Sequence, residues 1–128
     1  MAKVLLVDDA ADVRRSVRRA LIKLGHEVWD VPDGSDALPL LDVVSFDLVI
    51  TDAYMAGVDG MELLVRIQQR GNPVPVVMIS GGGHLPRERV LAMAQGCGAV
   101  ATIEKPFTTE QLRQTIDPLL APPPARRP

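Results

Sequence analysis

Three runs of consecutive apolar residues constrain this chain more than any other feature: Val4-Leu5-Leu6-Val7, Leu48-Val49-Ile50 and Val76-Val77-Met78-Ile79. They are unbroken rather than alternating, which is how strands read when both faces of a parallel sheet are covered. Two weaker candidates, Glu27-Val28-Trp29-Asp30-Val31 and Ala99-Val100-Ala101-Thr102-Ile103, suit sheet edges, where one flank is less shielded.

Helical spacing fills the intervals. From Asp12, the apolar residues Val13, Val17, Leu21 and Leu24 recur on one face, and Gly25 offers a C-terminal stop. Met61, Leu64, Val65 and Gln68 mark a second helix, ended by Gly71-Asn72-Pro73, and Arg87 to Gln95 a third, closed by Gly96. The last opens at Thr108, whose side chain can cap while Gln111 reaches back, and carries Leu112, Ile116 and Leu119. Between Asp33 and Val44, Pro39 removes a helical hydrogen bond and predicts a late start or a kink. Strand and helix alternate through five units, which gives an α/β fold: a parallel sheet with helices on both faces.

At 128 residues the chain suits one domain, expected over residues 1–121, with 122–128 a Pro-rich tail or the start of a linker. Aromatics are only 3% against 47% hydrophobic residues, so the core must be aliphatic. A net charge of −2 gives no overall attraction to nucleic acid or to an anionic membrane. No apolar run approaches the roughly 20 residues of a membrane span. A cytoplasmic location is the expectation. Cys97 is the single cysteine, which excludes an internal disulfide and a thiolate zinc site.

The polar residues stand where the strands end. Asp8 and Asp9 follow the first run, Asp52 ends the third strand, Ser80 ends the fourth and Lys105 closes the fifth. All those ends share one edge of a parallel sheet, where open α/β sheets bind ligands. Each residue has an ordinary explanation by itself. Asp9 or Asp12 could cap a helix, Ser80 could serve a turn, and Lys105 could be a solvated surface lysine. Their coincidence at one edge is what points to function. Three close carboxylates repel one another, and a divalent cation relieves this while keeping them ionised. The donors are hard oxygens, so magnesium is favoured over zinc. Lys105, the Ser80 hydroxyl and the N–H groups of Gly81-Gly82-Gly83 suit a phosphoryl group. Asp52 is the natural nucleophile, forming an aspartyl phosphate.

At these residues the chain resembles the receiver domain of two-component response regulators. The landmarks are Val4-Leu5-Leu6-Val7-Asp8-Asp9, Asp33-Gly34, Phe46 to Asp52, Asp59-Gly60, Ser80-Gly81, Gly98-Ala99 and Lys105-Pro106-Phe107. The resemblance implies a doubly wound five-stranded sheet of order 2-1-3-4-5. It implies that Asp52 is phosphorylated by a sensor histidine kinase or a histidine phosphotransfer protein. Asp9 and Asp52 would ligate Mg2+ directly, Asp8 through water, and the Tyr54 carbonyl would complete the protein ligands. Ser80, Gly81 and Lys105 would meet phosphoryl oxygens, with the Lys105-Pro106 peptide cis. A receiver dimer would be possible, and the output partner lies outside what these residues say.

Three positions depart from the family pattern. Met55 is followed by Ala56-Gly57 rather than proline, and Thr102 replaces the switch aromatic that usually stands three residues before the lysine. The third is Tyr54, bulky at a site beside incoming water. Among smaller signals, Arg14, Arg15, Arg18 and Arg19 make one side of the first helix basic, either a solvated face or a docking surface for the phosphodonor. Trp29 is expected in edge packing, and His84 in an exposed loop. The triple glycine lacks the Gly-Lys-Ser/Thr of a nucleotide loop. Competing readings fit less well. An aspartate-nucleophile phosphatase wants acids separated by one residue, and a flavin module would not place Asp8-Asp9 at its phosphate loop. A receiver serving only for docking does not need the intact acidic set. Tyr54→Ala is expected to lose an aspartyl phosphate faster than the parent, followed by intact mass over time. An unchanged lifetime refutes the shielding role.

Overall fold

The aliphatic runs form the middle of a parallel sheet in the computed structural model, which describes residues 1–53, 57–80 and 100–120. Strands β1 (Lys3–Val7), β2 (Glu27–Val31), β3 (Leu48–Asp52), β4 (Val76–Ser80) and β5 (Val100–Glu104) stand in the order β2-β1-β3-β4-β5. Four helices are described: α1 (Ala11–Lys23), α2 (Gly34–Val43), α3 (Gly60–Gln69) and α4 (Thr109–Leu120). Both weak strand candidates lie at the edges, as their composition predicts. The helix expected over Arg87 to Gln95 and the tail from Ala121 fall outside the described residues. So do Cys97, His84 and the triple glycine.

Because successive strand residues point to opposite faces, each run supplies two cores. Leu5, Val7, Val49, Val76 and Met78 pack against Ala37, Leu38 and Leu41 of α2 and Leu63, Leu64 and Ile67 of α3. Val4, Leu6, Leu48, Ile50, Val77, Ile79 and Ile103 pack against Val17 and Leu21 of α1 and Leu112 and Ile116 of α4. Both cores are aliphatic apart from Phe46 in the first and Phe107 at the margin of the second, as the scarcity of aromatics requires. Trp29 is 37% exposed and meets Phe46 edge to face, its ring centroid 5.9 Å away.

Helix ends follow local chemistry. Gly25 takes φ +94° just past α1, and Thr108 and Gln111 exchange the expected pair of capping hydrogen bonds at 3.0 and 2.8 Å. Two expectations need correction. The late start of α2 is not found: the helix begins at Gly34 with the Asp33 side chain accepting from the Ser35 N–H. Pro39 is tolerated inside because it and Ser35 are exposed, so the carbonyl it deprives of a donor lies on the solvent side. In α3 the buried stripe is Gly60, Leu63, Leu64 and Ile67, while Val65 is 48% exposed. Its apolar run Leu63-Leu64-Val65 spans two overlapping stripes, and packing chose the one opposite Glu62, Arg66 and Gln69. Among the described residues, no helix is long and apolar enough to cross a membrane.

Gly60 opens α3 so close to β3 that a Cβ added there would lie 2.3 Å from the Asp52 carbonyl oxygen and 3.0 Å from Ala53 Cα. Alanine favours a helix interior by about 1 kcal/mol over glycine. Overlap with immovable backbone costs about 1–3 kcal/mol or more, so the clash wins. Gly60→Ala is therefore expected to lower the thermal midpoint by several degrees, measured by circular dichroism. A midpoint at or above the parent's would show that α3 does not press on the strand.

Candidate functional site

The alternation that divides the core also assembles the site. Leu6, Ile50 and Ile103 face α1 and α4, and the residues two further on in each segment are Asp8, Asp52 and Lys105. The pairings Val7 with Thr51 and Ile79 with Ile103 bring those strand ends level along the edge. Carboxylate oxygens of Asp8, Asp9 and Asp52 all come within 4.8 Å of one another. The Lys105 ammonium stands 3.7 Å from Asp52 Oδ2 and 3.9 Å from Asp8 Oδ2.

Backbone and helix contacts hold these groups. The Asp8 N–H donates to the Val31 carbonyl at 3.2 Å, tying the strand end to β2. Asp8 Oδ1 accepts from the Ala10 N–H at 2.9 Å, which turns the chain into α1. The N-cap position of α1 is Ala10, so neither Asp9 nor Asp12 stands at the cap. The Ala53 N–H donates to the Ile79 carbonyl at 3.0 Å and fixes the exit of β3. Thr51, fully buried, donates from its hydroxyl to the Asp52 carbonyl at 3.0 Å.

The acids differ in exposure. Asp8 is 0% exposed, Asp52 is 8% exposed, and Asp9 is open to solvent. Asp8 Oδ2 is buried without a hydrogen-bond partner. Burial pushes the Asp8 carboxyl above its ordinary range, opposed by the Ala10 N–H; Asp52 and Asp9 push it further up while Lys105 pulls it down. A buried oxygen with no hydrogen bond, facing two other carboxylates and only a 3.9 Å ion pair with Lys105, is the kind of donor a hard cation completes.

Other predicted positions are placed less fully. Ser80 ends β4, its backbone paired in register with Glu104, and its side chain lies outside the described residues, as do Tyr54 and Gly81. Thr102 sits in β5 opposite Met78 with its side chain exposed. The Lys105-Pro106 peptide is cis, as the resemblance implies.

The basic side of α1 is partly spent within the molecule. Arg14 and Arg18 pair with Asp30 of β2 at 3.2 and 2.7 Å, and Arg14 also donates to the Asp8 carbonyl at 2.6 Å. Sequence reasoning missed this bracing role. The signal was Asp30, the acid of this edge strand that lies on the parity facing α1, Glu27 being on the other. A groove of about 350 Å³ runs beside Lys105, walled by Val13, Ser16 and Val17 of α1 and by Pro106 and Phe107.

Comparison with known proteins agrees with this geometry. The family described as the response regulator receiver domain matches residues 4–117. The chemotaxis protein CheY-3 of Vibrio cholerae is 37% identical over 118 residues, covering 90% of this chain and 88% of that protein. Among solved structures, chemotaxis protein CheY4 of Vibrio cholerae superposes with a TM-score of 0.82 at 30% identity, covering 94% of this chain and 99% of that one. The receiver domain of NtrX from Brucella abortus gives 0.80 at 34% identity, over 91% and 97%. Fold, edge cluster and likeness agree, and the chain belongs to the response regulator receiver domain family.

Proposed function

We propose that this chain is a cytoplasmic phosphoacceptor switch in which Asp52 takes a phosphoryl group from a phosphohistidine of a sensor histidine kinase or a histidine phosphotransfer protein. A carboxylate oxygen of Asp52 attacks phosphorus, the new O–P bond forms as the P–N bond breaks, and the imidazole nitrogen keeps the electron pair. The observation that carries this reading is the meeting of Asp8, Asp9 and Asp52 within 4.8 Å, with Lys105 3.7 Å from Asp52.

Each residue has a task in this reading. Asp52 is the nucleophile, and Lys105 neutralises charge on the phosphoryl oxygens. Ser80 and the Gly81 N–H donate to those oxygens. Asp8, Asp9, Asp52 and the Tyr54 carbonyl hold Mg2+, which when bound screens the acids from the incoming phosphoryl group. The groove between α1 and Phe107 offers the donor protein an apolar footing, with Arg15 and Arg19 on the exposed surface of α1. Thr102 stands where the conformational readout would begin. The domain catalyses its own phosphorylation and dephosphorylation only, within residues 1–121.

Incubation with Mg2+ and acetyl phosphate is expected to add one phosphoryl mass to the parent and none to Asp52→Asn, read by intact mass spectrometry. Equal gain in both, or turnover of phosphate esters without retained mass, overturns the reading.

Asp8 sets a second expectation. Its carboxyl is raised in the folded state, so in the pH window between the unfolded and folded values the native protein holds a proton that the unfolded chain releases. The group's contribution to stability therefore improves as pH falls through the raised value, and above it the ionised acid is a cost. At neutral pH with chelator present, Asp8→Asn removes that cost. Its thermal midpoint is expected to rise by about 3–6 °C, on the order of 1 kcal/mol for a domain of this size. Mg2+ should raise the parent's midpoint and move the variant's much less. A midpoint that falls, or a full magnesium response in the variant, would count against a metal held at this acid.

A further inference from the structure

We infer that Asp33, between β2 and α2, is a positioning residue for the loop that leaves the acceptor: its carboxylate clamps Gly57 and Val58 from the neighbouring connection. The inference rests on the phosphoacceptor reading for its purpose and on contacts between two loops for its substance.

The two oxygens of Asp33 do different things. Oδ1 takes both local bonds, from the Ser35 N–H at 2.8 Å and the Ser35 hydroxyl at 3.0 Å, and that alone caps α2. Oδ2 faces the other loop, where a Cβ on Gly57 would come within 2.7 Å of it. The Val58 backbone N–H faces the same carboxylate and helps to keep it ionised. The Ser35 N–H and then its hydroxyl hold the Asp33 carboxyl below its ordinary range against the smaller opposing effect of burial, and Val58 adds to this. The clamp is therefore charged at neutral pH. A cap needs one acceptor, and serine supplies one as well as aspartate does. The second acceptor has no task in α2.

Both loops are shaped to allow this approach. Gly57 has φ +77°, a conformation that favours glycine, and a Cβ on Gly34 would sit 2.5 Å from the Val58 carbonyl oxygen. The connections meet backbone on backbone. The chain after Asp52 is thus held at Ala53 by Ile79, at Gly57 and Val58 by Asp33, and at Gly60 by contact with the Asp52 carbonyl. Between the first two anchors lie only residues 54–56, including the Tyr54 carbonyl assigned to Mg2+ above. Chain connectivity across three residues couples the second anchor to the carbonyl assigned to Mg2+.

Two variants attack the contact from opposite sides. Asp33→Ser keeps a cap but has no second acceptor to reach Val58, and Gly57→Ala puts a methyl against Oδ2. The readouts on the full chain are Mg2+ affinity by titration calorimetry, phosphoryl gain from acetyl phosphate, and the thermal midpoint. Asp33→Ser is expected to weaken Mg2+ on the order of tenfold, as loss of an outer-shell partner does. Its phosphorylation should slow at low Mg2+ and recover at saturation, with the midpoint within about 3 °C of the parent's. Gly57→Ala should weaken Mg2+ as well, and the losses should fail to add in the double variant. A purely structural cap lowers the midpoint and leaves Mg2+ affinity within twofold, which overturns the proposal. If the parent binds Mg2+ but takes no phosphoryl group, the phosphoacceptor reading fails while the titrations still decide on Asp33. A parent that binds no Mg2+ overturns both.

Discussion

The Asp8 carboxylate, buried with one oxygen lacking a hydrogen bond, is the constraint on which the rest of the structure turns. Two further carboxylates stand within 4.8 Å and a single ammonium within 4 Å. At an effective dielectric of about 20, the buried pair Asp8 and Asp52 costs on the order of 3 kcal/mol at that distance, and the exposed Asp9 adds less. Lys105 offsets only part of this. Three carboxylates against one ammonium leave two negative charges, the charge a divalent cation cancels. Such a cluster persists only if the surrounding structure over-determines it, and here two aliphatic cores do so from both faces of the sheet.

Strand alternation converts that core into a site. The residues that seal Leu6 and Ile50 against α1 and α4 also dictate that Asp8 and Asp52 emerge on the same side, because every second residue shares a face. A one-residue slip of β3 would send Asp52 toward α2 and α3 and leave Thr51 among the acids. Burial of Val49 on one face and of Leu48 and Ile50 on the other forbids the slip.

Much of this was legible in the chain, for identifiable reasons. The runs at Val4, Leu48 and Val76 announce buried parallel strands, and acids or a hydroxyl directly after them mark the ligand-binding edge. The Thr108–Gln111 box worked because both partners lie within four residues. What escaped depended on distant partners. In α3 the run Leu63-Leu64-Val65 allows two overlapping stripes, and the cores of the assembled sheet selected the one through Leu63 and Ile67 over the one through Val65. Arg14 and Arg18 read as part of a basic side, solvated or docking, because Asp30 lies a strand away. Asp33 read as a family landmark, since its second oxygen acquires meaning only when Gly57 and Val58 arrive beside it.

The two faces of the sheet share the work unequally. The α1 and α4 side carries the charge: Asp8 is sealed beneath it, while Asp9 is exposed and Lys105 half-buried beside an open groove. The α2 and α3 side carries the geometry, through Gly60 against the Asp52 carbonyl and Gly34 against Val58. This division has a physical reason. A group that must meet ligands from solvent cannot also be packed to interior density, so the precision it needs comes from backbone contacts on the opposite face. The glycines are where that precision is set: Gly34 and Gly60 let one main chain approach another, and Gly57 lets its main chain approach the Asp33 carboxylate, more closely than a side chain at these positions would permit.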